Sequence, residues 1–274
     1  MDSNIYKEEE ITREILLKEY EIAKKTKPNN NWYYRECFYC GKPKQVSIEI
    51  NYGNYTDEKT FAIDLEKHKI CEKIAKYEKL SIFDKLHKQN TFENASILNE
   101  KENAYINSFK RYCDNFEKAK EQGVGLLFTG NAGNGKTFYS NCIANNLKEK
   151  GYSVLSFNLS GYMQELRKFN EKEKEKELLG AVETVDLVII DDVGSENITE
   201  WGQEKMFNLF NTIYLYKKSC IVTTNNNASE LEKHLIINGS NKILDRLLEL
   251  CKPFKFDWES RRKTIGQEKF KDIF

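Results

Sequence analysis

The sequence has no surplus of either charge: 43 Lys and Arg balance 43 Asp and Glu over 274 residues. That balance excludes an overall positive field, so any nucleic-acid contact has to come from a local basic patch. No apolar run reaches the roughly 20 residues that span a bilayer. The opening stretch MDSNIYKEEE lacks the apolar segment of a secretory signal. No Pro- or Ser-rich linker and no internal repeat divides the chain. These absences predict a cytoplasmic protein with no membrane association. What is present supports a folded core, since 39% of residues are hydrophobic and 31% are charged. The length allows one full α/β domain with room for a smaller module.

Cysteine is not scarce, with seven in the chain. In a reducing compartment, paired cysteines more often hold a metal than a disulfide. Cys113, Cys142, Cys220 and Cys251 lie in apolar or helical settings and read as buried thiols. The run Cys37-x2-Cys40-Gly41 is different, because the glycine permits the turn that directs both thiolates at one metal. His68-x2-Cys71 supplies a second half by residue type, giving a Cys3His tetrahedral zinc site on a β-hairpin scaffold. The gap between the halves is longer than usual for such sites. His68 also sits in a Lys/Glu-rich helical stretch, where an exposed histidine is the alternative.

Apolar periodicity predicts a helix over residues 4–25, a hairpin from residues 46–50 and 60–63 around Gly53-Asn54, and a helix over residues 65–80. Beyond residue 91 the pattern changes to helices alternating with near-continuous apolar runs. Helices are expected near residues 100–121, 161–180, 199–216 and 241–250, and one follows the glycine-rich loop as far as Lys150. Strands are expected at residues 125–129, 153–157, 187–190 and 220–223, with a short piece at 254–257. Such alternation means a parallel sheet covered on both faces.

The chemistry centres on Gly130-Asn131-Ala132-Gly133-Asn134-Gly135-Lys136-Thr137, which matches G-x-x-x-x-G-K-[ST] at every position. Glycines let the backbone curl so that successive N–H groups point at phosphate oxygens, and the following helix adds its positive end. Lys136 is placed to reach the β- and γ-phosphates of ATP, and the Thr137 hydroxyl to help hold magnesium. Residues 186–192 supply the acidic half: Asp191 ends an apolar strand as a magnesium ligand, and Asp192 follows where a water-orienting carboxylate would stand. Aspartate is one methylene shorter than glutamate, so slow turnover is expected. Thr223-Thr224-Asn225 closes another apolar strand, and the Asn225 amide can address the γ-phosphate or the attacking water.

Taken together these motifs resemble the DnaC/IstB-type branch of the AAA+ ATPases. The likeness runs from Thr91-Phe92-Glu93-Asn94 through the glycine loop to Ile189-Ile190-Asp191-Asp192-Val193-Gly194-Ser195-Glu196. It continues in Thr199-Glu200-Trp201, in residues 221–225 and in Asp245-Arg246-Leu247-Leu248-Glu249. The resemblance implies an AAA+ P-loop core, residues 91–274, with a five-stranded parallel sheet flanked by helices. Residues 1–90 would then form a small helix plus zinc-ribbon-like module that binds a partner. It further implies that Arg246 acts in trans on ATP held by a neighbouring subunit, and that Arg262, beside Arg261, senses the γ-phosphate in cis. An arginine supplied in trans requires ATP-dependent self-assembly.

Three activities stay open. One is a loader placing a DnaB-type replicative helicase on single-stranded DNA. Another is an IstB-type transposition helper, which usually lacks a cysteine-bearing module. The third is a small-molecule P-loop kinase, against which Asn225 and Arg246 argue. Single-stranded DNA would meet the stretch from Tyr162 to Phe169, where Arg167 and Lys168 are the candidate cations and Tyr162, Leu166 and Phe169 have a core-packing alternative. The Lys/Glu run at residues 171–177 reads as a solvated helix with internal ion pairs.

Overall fold

The computed structural model describes residues 6–27, 33–37, 40–81, 89–168, 170–195, 199–237, 239–262 and 271. The chain divides into two compact units, Met1–Ala75 and Lys76–Phe274.

In the first unit, helix α1 (Arg13–Thr26) starts later than apolar spacing suggests. The Thr12 hydroxyl accepts from the Ile15 N–H and caps the helix, while Glu8–Glu10 form a separate 3-10 turn. Tyr6 is not helical either, since it bridges to Ile50. Three antiparallel strands follow in the order β1-β2-β3: β1 (Tyr34–Glu36), β2 (Pro43–Asn51) and β3 (Thr56–Ala62). Their register pairs Val46 with Phe61 and Ile50 with Asp57, around a turn at Gly53. Val46, Ile48 and Ile50 point inward at the two-residue period of a strand. The core here is small: Leu16, Tyr20, Val46, Ile48 and Ile63 pack together, and β3 is exposed along nearly its whole length. Helix α2 (Leu65–Leu80) spans the division between the units and has the bounds its periodicity predicts.

The second unit is built on strands β4 (Gly125–Gly130), β5 (Val154–Asn158), β6 (Leu187–Asp191), β7 (Ser219–Thr224) and β8 (Cys251–Phe256). They form one parallel sheet in the order β5-β6-β7-β4-β8. Alternate residues of each strand serve opposite layers. Leu187 and Ile189 join the core under α3 (Glu100–Asp114), α4 (Phe116–Gln122) and α5 (Lys136–Glu149). Val188 and Ile190 face α6 (Leu159–Leu166), α7 (Glu171–Thr184), α8 (Glu200–Leu215), α9 (Ala228–Leu235) and α10 (Lys242–Leu250). Burial on both faces explains why these strands read as continuous apolar runs.

Several boundaries differ from the sequence expectation. The helix expected over residues 100–121 is two, separated at Asn115, and the one expected over 161–180 is divided between α6 and α7. Helix α9 was not expected at all. It is only eight residues long and begins at Ala228, capped by Asn227 at the end of an asparagine-rich turn. The four expected buried thiols are buried. Two of them meet: the Cys220 and Cys251 sulfurs lie 3.4 Å apart across β4. The intervening Gly125 makes this contact feasible, because a Cβ there would come within 2.4 Å of the Cys220 carbonyl oxygen and 2.8 Å of the Cys251 sulfur. Among the described residues no helix is long and apolar enough to cross a membrane.

Candidate nucleotide site and metal cluster

Strand β4 leads into the glycine loop, and α5 opens directly from it at Lys136. Two of the glycines are required by close approach. Gly130 has φ 136°, and a Cβ on it would lie 2.1 Å from the Phe256 carbonyl oxygen. Gly133 has φ 88°, and a Cβ on it would lie 2.0 Å from the Ser260 hydroxyl. The loop is therefore pressed against the chain that follows β8. Asn134 strengthens this seam: its amide donates to the Phe256 and Trp258 carbonyls at 2.9 and 2.6 Å, and the Trp258 indole donates to the Asn134 carbonyl at 2.9 Å.

A cavity of about 580 Å³ lies over the loop, lined by Ala132, Gly133, Gly135, Lys136 and Thr137 together with Asp191, Asp192, Asn225 and Arg262. Strand ends 54 and 89 residues distant from the loop in sequence are thus brought to one place, at the carboxyl edge of a parallel sheet where ligands bind in such folds. Lys136 donates to the Gly130 and Asn131 carbonyls at 2.6 and 2.8 Å and to the Asn225 side-chain oxygen at 2.8 Å. Burial pushes its ammonium down to about 8; Asp191 and Asp192 oppose the fall and Arg262 adds to it. The Thr137 hydroxyl lies 3.1 Å from both oxygens of Asp191, so a hydroxyl and a carboxylate oxygen face one spot, a donor set suited to a hard cation such as magnesium.

Asn225 joins the two halves of the site, because its amide also donates to the Asp192 carboxylate at 2.6 Å. Asp192 has a left-handed backbone (φ 58°), held by its N–H donating to the Thr223 hydroxyl at 3.0 Å. The same hydroxyl donates to Asp191 at 2.6 Å. Thr223 therefore orients both acidic residues, a role that sequence reasoning missed although the residue adjoins Thr224-Asn225. Asn94, Ser96 and Asn158 also line the cavity and were missed. Asn94 belongs to the Thr91–Asn94 motif, and that was the one signal available.

Arg246 is not among the residues lining this cavity. It projects from α10 toward α8, where it donates to the Asn211 side-chain oxygen at 2.7 Å and lies over the Tyr214 ring at 4.7 Å. The stretch expected to meet DNA is divided in its surroundings. Tyr162 and Leu166 are fully buried, as their core-packing alternative requires, whereas the Arg167 guanidinium lies over the Trp201 ring at 4.9 Å and Lys168 pairs with Glu165. Phe169 falls outside the described residues. The run at 171–177 holds an internal Lys174–Glu177 pair at 2.8 Å but is not purely solvated: Glu171 and Glu175 reach the nearly buried Lys205 on α8 at 2.9 and 2.8 Å.

In the first unit, Cys37, Cys40, His68 and Cys71 come together, each offering a ligand atom within 4.8 Å of the others. The Gly41 N–H donates to the Cys37 carbonyl at 2.8 Å and Gly41 has φ 67°, forming the turn expected after a Cys-x2-Cys pair. His68 is 1% exposed, which excludes the exposed-histidine alternative. Its Nε2 lies 2.7 Å from the Pro43 carbonyl and donates to it, which leaves Nδ1 as the unprotonated nitrogen, 3.9 Å from the Cys40 sulfur. The long sequence gap is closed by β2 and β3, which return the start of α2 to the cysteine turn. Burial and the neighbouring sulfurs push the Cys71 thiol up to about 12, an environment that a bound cation would reverse. Three sulfurs and one imidazole nitrogen form a donor set suited to a divalent metal ion in tetrahedral coordination.

Comparison with known proteins agrees with this geometry. The family model of IstB-like ATP-binding proteins matches residues 58–269, more than half of the chain, and the protein belongs to that family. With its phosphate loop and acidic strand it is an ATPase of the AAA+ type. Over 153 residues it is 28% identical to the replicative helicase loader DnaI of Bacillus subtilis (strain 168), a match covering 52% of this chain and 48% of that protein, about half its length. It is 25% identical over 187 residues to the replicative helicase loader DnaC of Escherichia coli (strain K12), covering 67% of this chain and 74% of the relative. The crystal structure of the DnaC helicase loader superposes with a TM-score of 0.55 at 23% identity, covering 61% of this chain and 97% of that one, and bears on the fold alone.

Proposed function

We infer that this protein is a replicative helicase loader that uses ATP as a switch. The observation that carries the reading is one chain holding both a phosphate-loop site and a separate unit with a Cys3His cluster, alongside the similarity to DnaI and DnaC. Residues 1–90 serve as the partner-binding module, with zinc held by Cys37, Cys40, His68 and Cys71. Residues 91–274 bind and hydrolyse ATP in the cytoplasm.

Within the site, the backbone N–H groups of the loop cradle the phosphates and Lys136 meets the β- and γ-phosphates. Thr137 and Asp191 hold magnesium, which when bound neutralises phosphate charge. Asp192 orients the attacking water from the position Asn225 and Thr223 fix for it, and its short side chain keeps turnover slow. Arg262 meets the γ-phosphate in cis, and Arg246 meets the ATP of a neighbouring subunit, so ATP promotes self-assembly. Arg167 and Lys168 contact the phosphates of single-stranded DNA.

Co-purification with the host's DnaB-type helicase, with and without ATP and beside Lys136→Ala, tests the reading. A complex whose stability follows ATP in the parent and not in the variant supports it. Failure to form any complex sinks it and favours the second reading, a transposition helper, for which the IstB-like family match speaks.

A further inference from the structure

One buried charge in the ATPase unit is used by nothing described so far. Glu102, in the first turn of α3, has no exposed surface. Its carboxylate accepts from the Leu98 N–H at 2.8 Å, from the Tyr139 hydroxyl at 2.7 Å and from the Arg261 guanidinium. Two of these partners connect it to different parts of the site. Tyr139 stands one turn into the phosphate-loop helix, its ring beneath Gly135. Arg261 is the immediate neighbour of Arg262, its N–H donates to the Gly133 carbonyl at 3.1 Å, and it also lines the nucleotide cavity. A lone buried carboxylate is strongly unfavourable. Here it is matched by one guanidinium and two further donors, so the group is stable only while all the partners stay in place.

We propose that Glu102 is a positioning residue for γ-phosphate sensing, rigidly tethering Arg261 so that Arg262 alone is presented to the phosphate. Two adjacent arginines line one cavity, and either could swing toward a triphosphate. The ion pair with Glu102 and the backbone bond to Gly133 hold Arg261 back, and they also keep the 256–262 segment aligned with the loop. Loss of the carboxylate releases Arg261 into the cavity, where it competes with Arg262 for the same oxygens. The α- and β-phosphates are met by loop N–H groups and Lys136, none of which bonds the Glu102 carboxylate, and the Arg261 N–H bond to Gly133 does not depend on that carboxylate. This inference rests on the assignment of Arg262 as the cis sensor.

The test is the ratio of ADP to ATP dissociation constants, measured by titration calorimetry with a non-hydrolysable ATP analogue and magnesium. Glu102→Gln is expected to lower that ratio about tenfold while ADP affinity stays within about twofold, since only the third phosphate loses its geometry. Arg262→Ala should lose the same discrimination, and combining the two should lose no more. In Glu102→Gln/Arg261→Gln the competing guanidinium is gone and no charge is left unpaired, so discrimination is expected to return toward the parent's. Should Glu102→Gln fail to fold, as judged by circular dichroism, Glu102→Asp, which draws the carboxylate back from Arg261, replaces it with the same loss expected. A parent-like ratio in the folded variant, or equal loss of ADP and ATP, overturns the proposal and reduces Glu102 to a structural ion pair. If Arg262→Ala keeps full discrimination, the sensor assignment falls and the proposal with it. If the parent binds no ATP, the functional reading itself is wrong.

Discussion

The two sheets of this molecule are held by different forces. In the five-stranded sheet, Leu187 to Ile190 are fully buried on both faces and sit between two helical layers. In the three-stranded sheet, one face meets α1 through a handful of apolar side chains, and β3 is almost wholly exposed. Apolar burial at roughly 25 cal/mol per Å² stabilises the first amply. The second has a much smaller apolar core, and the proposed metal at Cys37, Cys40, His68 and Cys71 would tie its cysteine turn to α2. The difference teaches where each unit is vulnerable: one to cavities and, with the proposed metal in place, the other to chelators.

The comparison can be broken most directly by removing the proposed metal. Structural zinc contributes on the order of 10 kcal/mol in small domains, so a strong chelator, or Cys40→Ser, should abolish hydrogen-exchange protection in residues 34–62 while ATP binding persists. Protection that survives chelation would show that the small core suffices. Within the larger sheet, Ile189→Ala should lower unfolding free energy by about 3–4 kcal/mol in denaturant titration, whereas Lys59→Ala on β3 should leave the midpoint unmoved. Lys136→Ala should weaken ATP binding about 100-fold, near 3 kcal/mol, with metal content by mass spectrometry unchanged.

A subtler effect concerns pH. The Lys136 ammonium has a value near 8 in the site, and a triphosphate raises it again by supplying negative charge. Binding therefore takes up a proton above pH 8, and ATP affinity should fall as pH rises past that point while staying flat below about pH 7. A slope that persists in Lys136→Ala would assign it to another group. The smallest change expected is a gain: Asp192→Glu, reaching one methylene further, should raise turnover by on the order of tenfold or less, measured as phosphate release.

Much of the nucleotide site was legible because its chemistry is local. Residues 130–137 carry the glycines, lysine and threonine in fixed order, and Asp191 and Asn225 each end an apolar run that can only be a buried strand. What escaped depends on packing between distant segments. Thr223 is an ordinary strand residue until β6 and β7 pair and set its hydroxyl between Asp191 and Asp192. Glu102 looks like any first-turn acidic residue, and nothing near it in the chain announces Arg261. His68 was in doubt because its neighbours are Lys and Glu. Its burial follows from the hairpin's return, which spacing along the chain does not encode. The short helix α9 was missed because eight residues give too little periodicity to separate it from the asparagine-rich turn before it.

Gly125 has one more implication. It lies at the foot of β4, and the strand's other end is the phosphate loop, so five residues of ladder from Leu126 to Gly130 act as a gauge between them. The gauge has almost no tolerance at its base, where even a methyl group would strike the Cys220 carbonyl. A mutation there would touch no ligand, yet its displacement would be passed along the stiff strand to the loop that grips phosphate. A dial on the nucleotide site thus lies at the opposite edge of the sheet from the nucleotide.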